Sequence, residues 1–594
     1  MPVQVYEDSL ELHTAILEED GYNNASWPYP MLKQSGKDEK RRFRAIILEN
    51  EYLKLTFLPE LGGRLWELLD KRFNHPYFSS DKVYQGNFSM YTPQGIGCLD
   101  GFRLIERGRE RKGSLEKVDF LVEAPKSDED DGSITFAAFG SQSFEVRYLL
   151  EPKAASVRVE VKVQNRIQTL SPYFFCGFDS CLEESAGIFP AGITSGMNPD
   201  HHIWFTSERG TFLEHYAVMW ETFFLKHADR DAILGPRQAD QYCFNFLPTS
   251  YLKGESYVGE AGVAFLEQDN FSLCASHPLV NHRLLIQNDR GECFESPFNA
   301  YPEVVSTTNL SSIPGAVVAA KIVDESGNEV AVMTTEKWQV VPGFAAGEPA
   351  PRASYAAAFS PTPEADFRRA YPLTDVTKLE DHELNRLTSD FTLRVPAYLE
   401  LAARATERGD YQRADTCYEH ALLFNGDDPL AWWAKSVNRR IGNLDDENAE
   451  HTELLNAHYL SPLEPCLRAE AFLAQPRNHG KDPSPLLASF NDVPENFIEV
   501  ACQLIQARFY EEAAYFIDEA LRHQNLGMLH YLHAYLLSRK GGMEMEVASR
   551  VQMATKAKFP PMPYRDLERE ILTLISKGHE LPQILRDWLN GDFD

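Results

Sequence analysis

The sequence predicts a multidomain β + α protein in which a large antiparallel β-sandwich precedes an α-helical repeat array. Three observations support this fold class: apolar and polar residues alternate from about residue 43 to 341, a Pro- and Ala-rich segment follows, and helical periodicity begins near residue 376. The length of 594 residues suits two or three domains. We therefore expect an N-terminal arm at 1–42, the sandwich at 43–341, a linker at 342–375 and the helical domain at 376–594.

The strands of the sandwich are predicted from a period of two. Residues 53–57 and 157–164 carry an apolar side chain at every second position, which gives a strand one wet and one dry face. Further strands are expected at 134–139, 144–150, 262–266 and 317–323. The preceding segment, 1–42, contains the extended sequence Trp27–Pro28–Tyr29–Pro30, so it is interpreted as an arm or an extra layer.

The helical domain is predicted from a repeated spacing of small side chains. Gaps of 12 and then 7 residues separate two sets of alanines: Ala402, Ala414 and Ala421, and Ala501, Ala513 and Ala520. Small residues at such offsets let paired helices pack closely, as in tetratricopeptide repeats (TPR). The copies cover 398–422, with a turn at Gly409–Asp410, and 497–521, with a turn near Arg508–Phe509. A weaker copy is expected at 528–556, and capping helices at 564–589.

Composition argues against several classes of function. The formal charge of −30 disfavours nucleic acids and anionic membranes as partners. No apolar run approaches the ~18 residues of a membrane helix, and residues 1–21 do not resemble a signal peptide. Nine Cys in so long a chain are expected to be reduced thiols, so a cytoplasmic protein is the simplest inference. Neither a phosphate-binding loop nor a complete dinucleotide fingerprint occurs, so no cofactor is expected.

One stretch near the N-terminus has a specific resemblance. Residues 48–66, LENEYLKLTFLPELGGRLW, resemble the opening of proteins with the galactose mutarotase-like β-supersandwich, and more narrowly the DUF5107 family, in which this domain often precedes tetratricopeptide repeats. Residues 157–165, 262–265 and 301–306 resemble later strands of that family. The resemblance covers about 41–341 and the repeats. It implies a carbohydrate ligand on the concave face of the large sheet, contacted by His, Arg, Glu and aromatic side chains.

The sequence departs from the family at one motif. A Gly-Gly-Ile-Glu-Phe-Asn sequence followed by a His is common there, whereas the nearest match here is QGIGCLD at 94–100. Gly97 occupies the acidic position, and no His follows nearby. Either this protein uses other acids, or its substrate differs.

Chemistry at an anomeric centre needs an acid and a base, so candidate carboxylates come first. Glu303 is the first choice for a catalytic residue, because the family match puts it on a strand beside Tyr301, a candidate substrate contact; the alternative is a structural partner for an Arg of a neighbouring strand. Asp179 and Glu183 are further catalytic candidates, and Glu184 a substrate contact, in an acidic cluster after an aromatic strand. The alternative for that cluster is a loop of solvated acids.

Histidines and an arginine complete the expected site. His201 or His202 could donate a proton while Trp204 stacks on the sugar; adjacent residues of a strand point to opposite faces, so at most one His would serve. No metal is expected, since no third ligand follows at a typical spacing. The other expected contacts are as follows: Arg64, Glu67, His277 and His282 as substrate-binding residues, with Glu295, Asp100 and Arg103 as weaker candidates.

These observations favour a carbohydrate-active enzyme that acts on a neutral saccharide. Glycoside hydrolysis is preferred because an arm, a linker and a helical array exceed what a free-sugar mutarotase needs. The alternatives are an aldose 1-epimerase and a non-catalytic sugar-binding or scaffold protein. Repeat arrays end in apolar edges that need caps or partners, so a homodimer through the helical repeats is also expected.

Overall fold

The computed structural model describes the chain from residue 2 to residue 590 with these gaps: 20–31, 78–82, 84–101, 106–116, 141, 169–170, 173–176, 181–184, 190–191, 199–200, 208–217, 220–221, 225–232, 251–256, 260, 335–374, 445–451, 476–482, 492 and 558–564.

The first two thirds of the chain are built from β-strands. In chain order these are β1 Gln4–Glu19, β2 Leu32–Glu49, β3 Leu53–Leu58, β4 Arg64–Asp70, β5 His75–Pro76, β6 Phe102–Ile105, β7 Asp119–Glu123, β8 Gly132–Phe139, β9 Gln142–Leu150, β10 Val157–Asn165, β11 Ser171–Pro172, β12 Gly177–Ser180, β13 Ser185–Phe189, β14 Gly192–Asn198, β15 His201–Ser207, β16 Val218–Met219, β17 Thr222–Phe224, β18 Ile233–Leu234, β19 Ala239–Ser250, β20 Tyr257–Gly259, β21 Gly262–Leu266, β22 Asn270–Ala275, β23 Leu279–Asn288, β24 Cys293–Ala300, β25 Ser306–Asn309, β26 Val317–Val323 and β27 Glu329–Thr334.

Two large antiparallel sheets form the main sandwich. The first sheet has the order β1-β2-β3-β4-β6-β12-β17-β16, with β5 beside β4, and the second has the order β13-β14-β15-β19-β10-β9-β8-β7. Their inner faces meet through aromatic side chains: the Phe57 ring lies 5.5 Å from the Phe136 ring and 4.8 Å from the Tyr148 ring. Two four-stranded sheets, β20-β21-β22-β25 and β24-β23-β26-β27, enclose a smaller core around Phe271 and Phe298.

The predicted strands agree with these elements, and the residues before them belong to the first sheet. β1 pairs with β2 along most of its length, and β2 is continuous from Leu32 to Glu49. The boundary expected at residue 43 therefore falls inside a strand. Cross-strand ion pairs such as Lys40–Glu11 lie along this hairpin, consistent with its exposed polar sequence.

The last third of the chain is helical. A short 3-10 helix at Val376–Lys378 precedes α1 Asp381–Leu387, α2 Arg394–Glu407, α3 Tyr411–Phe424, α4 Pro429–Gly442, α5 Thr452–Leu460, α6 Pro465–Leu473, α7 Ser484–Ser489, α8 Glu495–Gln506, α9 Tyr510–His523, α10 Gly527–Lys540, α11 Glu544–Thr555, α12 Asp566–Ser576 and α13 Gln583–Asn590. No helix in the described part of the chain combines the length and the apolar character that crossing a bilayer requires.

The predicted fold class, antiparallel sheets followed by a helical repeat array, is confirmed. The first repeat is the pair α2 and α3, and the second is α8 and α9. Between the helices the chain turns through left-handed backbone at Gly409 (φ 76°) and Arg508 (φ 61°). The repeated alanines are at most 2% exposed, so they are packing positions as the spacing predicts.

A buried ionic network joins the helical array to the second sheet. Arg166, just after β10, donates to Glu499 of α8 over 2.6 Å and to Glu464 over 3.0 Å. Arg565 donates to the other Glu499 oxygen over 2.9 Å and to Glu568 over 2.9 Å. All five side chains are at most 3% exposed, and each charge faces an opposite one, which buried charges require.

Further polar contacts extend this interface along the outer face of the second sheet. Asp119 of β7 accepts hydrogen bonds from Asn491 (2.6 Å) and Asn496 (2.8 Å) and pairs with Arg468. The Arg237 guanidinium binds both oxygens of Asp428 over 2.7 and 2.8 Å. The alternation of polar and apolar residues predicts that this face of the sheet is exposed to solvent. In the structure, helices cover part of it.

Gly63 offers a test of the sandwich core. It has a left-handed backbone (φ 70°), and a Cβ atom there would lie 2.7 Å from the Phe136 ring. We expect Gly63→Ala to lower the free energy of unfolding by about 2–4 kcal/mol, from backbone strain and the forced shift of Phe136. Urea titration measures this. Gly409→Ala is the matched control, because its φ of 76° is similar and no atom lies within 4 Å of the added Cβ. Equal losses in both variants would contradict the packing role.

The interface network predicts acid sensitivity. Burial raises the pKa of Glu499, but Arg565 and Arg166 lower it more, to about 2. An unfolded Glu titrates near 4.3, so this carboxylate stabilises the folded state above that pH, and the stabilisation is lost as pH falls towards 2. We expect the free energy of unfolding to decline between about pH 5 and pH 2, and less steeply in Glu499→Gln.

At neutral pH, Glu499→Gln should have a lower free energy of unfolding than the parent protein. Removing one partner of a buried ion pair costs about 3–5 kcal/mol, because the remaining charges stay buried. Glu123→Gln is the control, since its pair with Arg147 is half exposed, and it should change the free energy of unfolding by less than about 1 kcal/mol. A Glu499→Gln protein as stable as that control would refute this role.

Candidate functional site

The Gly62–Gly63–Arg64 turn sets the start of β4. A 3-10 helix at Pro59–Leu61 leads into two consecutive left-handed residues, Gly62 (φ 72°) and Gly63 (φ 70°). Residues other than glycine rarely adopt this left-handed backbone conformation, so two consecutive glycines suit the turn. Arg64 follows at once, is fully buried, and lies directly opposite Leu58 of β3.

A β-bulge brings Arg64 and Glu67 to the same face of the first sheet. Strict alternation would separate residues three apart, but Glu67 pairs with Thr56 while Leu65 pairs with the next residue, Phe57, so Trp66 is the extra residue. The Thr56 hydroxyl donates to Glu67 over 3.4 Å. Arg64 and Glu67 therefore share the face of Leu58 and Thr56.

This face points away from the second sheet. Phe57 and Leu65 belong to the core between the two sheets, whereas Leu58 and Trp66 pack with Phe43 in a separate cluster on the other side. We refer to the side of Arg64, Trp66 and Glu67 as the outer face. Trp66 is 2% exposed, so the outer face is covered at this point.

The positions of Arg103 and Asp179 continue the row that begins at Arg64. Leu65 of β4 pairs with Phe102 of β6 in antiparallel register, so Arg103 lies opposite Arg64. Asp179 of β12 pairs directly with Arg103. Asp179 thus lies two strands from β4, in the same row of backbone positions. The fold brings together two of the predicted site residues that are 115 positions apart.

Glu303 is not on a strand, so the predicted placement is wrong. It lies exposed in the turn between β24 and β25, and its carboxylate accepts a hydrogen bond of 2.8 Å from the Tyr52 hydroxyl. Burial and then the bond to Glu303 raise the pKa of Tyr52, so the phenol stays a neutral donor. The Tyr-x-Glu segment was expected to pair within a sheet, but its residues form a turn that binds the start of β3.

Arg72 fastens the same turn from a second side. Its guanidinium donates to the carbonyl oxygens of Pro302 and Pro248, each over 2.9 Å, and pairs with Asp70 over 2.7 Å. Asp70 is fully buried. Burial lowers the pKa of Arg72, but Asp70 raises it more, so the charge is retained. Three distant segments of chain thus meet at one cation.

The Glu303 turn and the Arg64 row lie at opposite ends of β3 and β4. Leu58 pairs with Arg64 at one end, and Leu53, next to Tyr52, pairs with Asp70 at the other. Five residue steps along a strand span about 17 Å. The two groups therefore cannot contact one small sugar ring together.

The remaining candidates are spread over several elements. His201 and His202 begin β15 and pair with Ser250 and Thr249, near the Pro248 carbonyl that Arg72 binds; Trp204 pairs with Thr194 and Leu247. His277 lies in a bend, where its Nδ1 is 2.9 Å from the Ser276 hydroxyl.

The last of these candidates lie at the surface or contact residues that are close to them in the chain. His282 is at the bulge that opens β23, with its Nδ1 2.9 Å from the Val280 carbonyl, and Tyr301 is exposed. Glu295 pairs with Arg283 over 3.1 Å at the surface. Glu183, Glu184 and Asp100 lie outside the described residues. Among the described residues, no three His, Cys, Asp or Glu side chains are grouped as metal ligands.

A comparison with protein families matches the N-terminal part of the sandwich. Residues 22–148 match the family model described as "Domain of unknown function (DUF5107)". The resemblance expected from residues 48–66 is therefore confirmed over this range, which contains Arg64 and Glu67 but not Asp179, His201 or Glu303.

Solved structures give weaker similarities. A TPR-domain containing protein from Parabacteroides distasonis is 12% identical, with 95% of this chain and 97% of that chain covered and a TM-score of 0.34. Galactose 1-epimerase from Lactobacillus acidophilus is 9% identical over 40% of this chain and 99% of its own, with a TM-score of 0.21. A galactose mutarotase-like protein from Clostridium acetobutylicum is 11% identical over 40% and 99%, with a TM-score of 0.23.

Sequence reasoning missed Tyr52, Asp70 and Arg72. The partners of Tyr52 and Arg72 in the turn are 251 and 230 positions away, so no local pattern signals the contact. The local signal at these positions is that Tyr52 comes just before β3 and Arg72 just after β4, the two strands on either side of the Gly-Gly-Arg turn.

The Arg72 contacts predict a large effect on stability. We expect Arg72→Met to lower the free energy of unfolding by about 3–5 kcal/mol, because Asp70 would stay buried without its counter-charge. Thermal or urea unfolding checks this. Arg283→Met is the control, since its exposed pair with Glu295 should contribute less than about 1 kcal/mol. A comparable loss in both variants would mean that Arg72 holds no buried charge in place.

Proposed function

We propose that this protein is a carbohydrate-active enzyme, most simply a glycoside hydrolase, that binds a neutral saccharide on the outer face of the first sheet near Arg64. The observation that carries the proposal is the row formed by Arg64, Arg103 and Asp179 beside Glu67. It groups two carboxylate residues with two guanidinium residues on three neighbouring strands. No metal or nucleotide cofactor is part of the proposal.

The spacing of the strands suits acid/base chemistry on a sugar. β4 and β12 are two strand spacings apart, or about 10 Å. Glycosidases hold their two carboxyl groups about 5–9.5 Å apart, and side chains from such strands can span that range. In the proposed mechanism Asp179 protonates the glycosidic oxygen, and Glu67 activates water or attacks the anomeric carbon.

Arg64 has a supporting role in this mechanism. Arg64 is fully buried, so its guanidinium, which offers several donors in a fixed plane, would act by holding a carboxylate of the site in position. The acidic net charge favours a neutral saccharide over an anionic one. Glu303, at the other end of β3 and β4, is assigned to fold stability and not to catalysis.

Two properties of the helical array favour hydrolysis over mutarotation: the number of residues that it adds and its attachment to the second sheet. A mutarotase needs little more than a sandwich, whereas here buried ion pairs fix some 200 further residues to the second sheet. We therefore treat the array as part of the body of the enzyme, in which it stiffens the sheet opposite the site. A cytoplasmic location is part of the same proposal.

The test is release of product from a panel of aryl glycosides and neutral oligosaccharides by the full chain. We expect cleavage by the parent protein and a loss of at least about 100-fold in kcat/KM in Asp179→Asn, as removal of a general acid produces. Glu303→Gln is the matched control. It loses one carboxylate from the same domain and should keep the activity of the parent within about threefold.

Each other outcome contradicts part of the proposal. Loss of cleavage in Glu303→Gln but not in Asp179→Asn would move the site to the opposite end of the first sheet. No cleavage, with faster equilibration of pure anomers in polarimetry, would replace the hydrolase by an aldose 1-epimerase. Saccharide binding that survives Asp179→Asn and Glu67→Gln, with no reaction of any kind, would indicate a sugar-binding protein.

A further inference from the structure

Helix α11 is held on the repeat array by few buried side chains. Val547, Val551 and Ala554 are the buried residues of this helix, whereas Met545 is 83% exposed. Helix α10, on which α11 packs, is buried along most of its length. Elements with few buried apolar contacts open at a lower free-energy cost than the body of a protein. Helix α11 can therefore separate from α10 while α10 stays folded in the array.

The connection between α10 and α11 suits a hinge. Gly541 ends α10 and Gly542 follows it, both with left-handed backbone (φ 70° and 69°). A Cβ atom at either position would have no atom within 4 Å, so no packing fixes these two residues. Hinges are short segments at the ends of elements that absorb changes in φ and ψ. Gly541 and Gly542 meet this requirement.

One carboxylate oxygen joins α11 to the preceding helices. The Arg550 guanidinium of α11 donates to Oδ1 of Asp518, on α9, over 3.0 Å. Within the described part of the chain, this is the one ion pair that α11 forms. On α10, Nδ1 of His533 lies 3.4 Å from the same Oδ1 atom. A guanidinium and an imidazole from two different helices thus approach a single acceptor.

The two histidines of α10 are placed where an added proton has no free acceptor. His530 and His533 are almost one turn apart, and each is 5% exposed. The Nδ1 atoms of both rings are buried without a hydrogen-bond partner among the described residues. Nε2 of His530 lies 2.9 Å from Oδ1 of Asn525, which suits a neutral ring that donates from Nε2. The structure therefore favours neutral imidazoles, since a buried charge without a partner is costly.

The charges around these rings disfavour a proton further. Burial lowers the pKa of His530, and Arg550 and His533 lower it further, to about 4. Burial also lowers the pKa of His533; Asp518 raises it, but Arg550 and Lys540 oppose Asp518, so this pKa stays below its usual value. Helices α8 and α12 also pack on α10, but among the described residues neither places a charge against the two rings. Arg550 of α11 is therefore the cation that acts on both histidines.

We propose that α11 is a pH-sensitive hinged helix, which leaves α10 in mild acid when a proton on His530 or His533 displaces Arg550 from Asp518. A protonated imidazole and the guanidinium would lie beside one carboxylate, which neutralises only one of them. Movement of α11 about the glycine pair separates the two cations and lets water reach both rings. The opening uses no residue of the proposed saccharide site, so either proposal can fail without the other.

The direction of the pH dependence follows from the two states of the histidines. In the open state they titrate near the usual value of about 6.5. In the closed state the pKa of His530 is about 4. The closed state is therefore fully favoured above about pH 6.5, and that preference is lost as the pH falls towards about 4. For His530 alone, the ratio of open to closed molecules should rise about twentyfold between about pH 7 and pH 5.

Hydrogen exchange of the full chain, followed by mass spectrometry, measures this ratio. After correction for the intrinsic exchange rate at each pH, we expect the protection of α11 amides to fall at least about tenfold between about pH 7 and pH 5. At about pH 5 it should be at least about tenfold lower than the protection of α8 amides, which exchange only when the array unfolds. A low concentration of urea should hardly change exchange in α11, because the opening of one helix exposes little surface.

Substitution of the two histidines tests the cause. In a double variant with His530→Gln and His533→Gln, the protection of α11 amides should change less than about threefold between about pH 7 and pH 5, because neither new side chain takes up a proton. The comparison is made within one variant, so a general loss of stability does not hide the result. His523→Gln is the matched control: this histidine is exposed at the end of α9, and the variant should keep the pH dependence of the parent protein.

Loss of the ion pair should loosen α11 without acid. We expect Arg550→Met to lower the protection of α11 amides about threefold at neutral pH, as removal of a partly exposed ion pair does. Arg522→Met is the control, because Arg522 pairs with Glu519 inside α9 and is 65% exposed. This control should leave the protection of α11 unchanged.

Three results would overturn the proposal. Equal protection of α8 and α11 amides in acid would mean that the array unfolds as one unit. A double histidine variant with the pH dependence of the parent protein would mean that other groups take up the proton. An Arg550→Met protein with the parent protection at neutral pH would mean that the pair with Asp518 does not hold α11 in place.

Discussion

Arg166 introduces a positive charge at the end of a central strand of the second sheet, where almost no water reaches it. The charge is tolerated because Glu464 and Glu499 approach it from two helices, and Arg565 in turn balances Glu499. A buried charge without such partners would destabilise the fold strongly. Sheet and helices are therefore interdependent: the strand ends in an arginine that requires the helical array, and the array buries carboxylates that require the strand.

This interdependence determines which surfaces remain for function. The outer face of the second sheet is occupied by α6, α8 and the segments before them, through Asp119 and Glu145 as well as Arg166. In the described part of the chain this network does not reach the outer face of the first sheet, where Arg64 and Trp66 are buried among other residues. The saccharide site proposed for the first sheet uses that face.

Much of the fold follows from local patterns, but the candidate site follows from them only in part. Alternation defined strands such as 262–266 and 317–323, and alanine spacing defined both repeats. The Gly62–Gly63 pair within residues 48–66 forms the left-handed turn that precedes Arg64. It did not indicate that Glu303, expected beside that site, would lie at the far end of the same strands. Residues 301–306 alternate weakly, and proline together with exposed Glu303 and Val304 favours a turn over a strand.

The sequence by itself determined those features that depend on residues close together in the chain: strand periodicity, helix pairing, and the left-handed turn at Gly62 and Gly63. Only the tertiary structure decided which polar residues are exposed to solvent. Glu145 and Lys162 alternate with buried residues as a solvent-facing row would, yet helices more than 290 positions later cover them, since Ser461 donates to Glu145 and Lys162 donates to the Leu460 carbonyl. Alternation reports that a face is polar. Whether water or another part of the chain satisfies its hydrogen bonds depends on contacts that no local pattern contains.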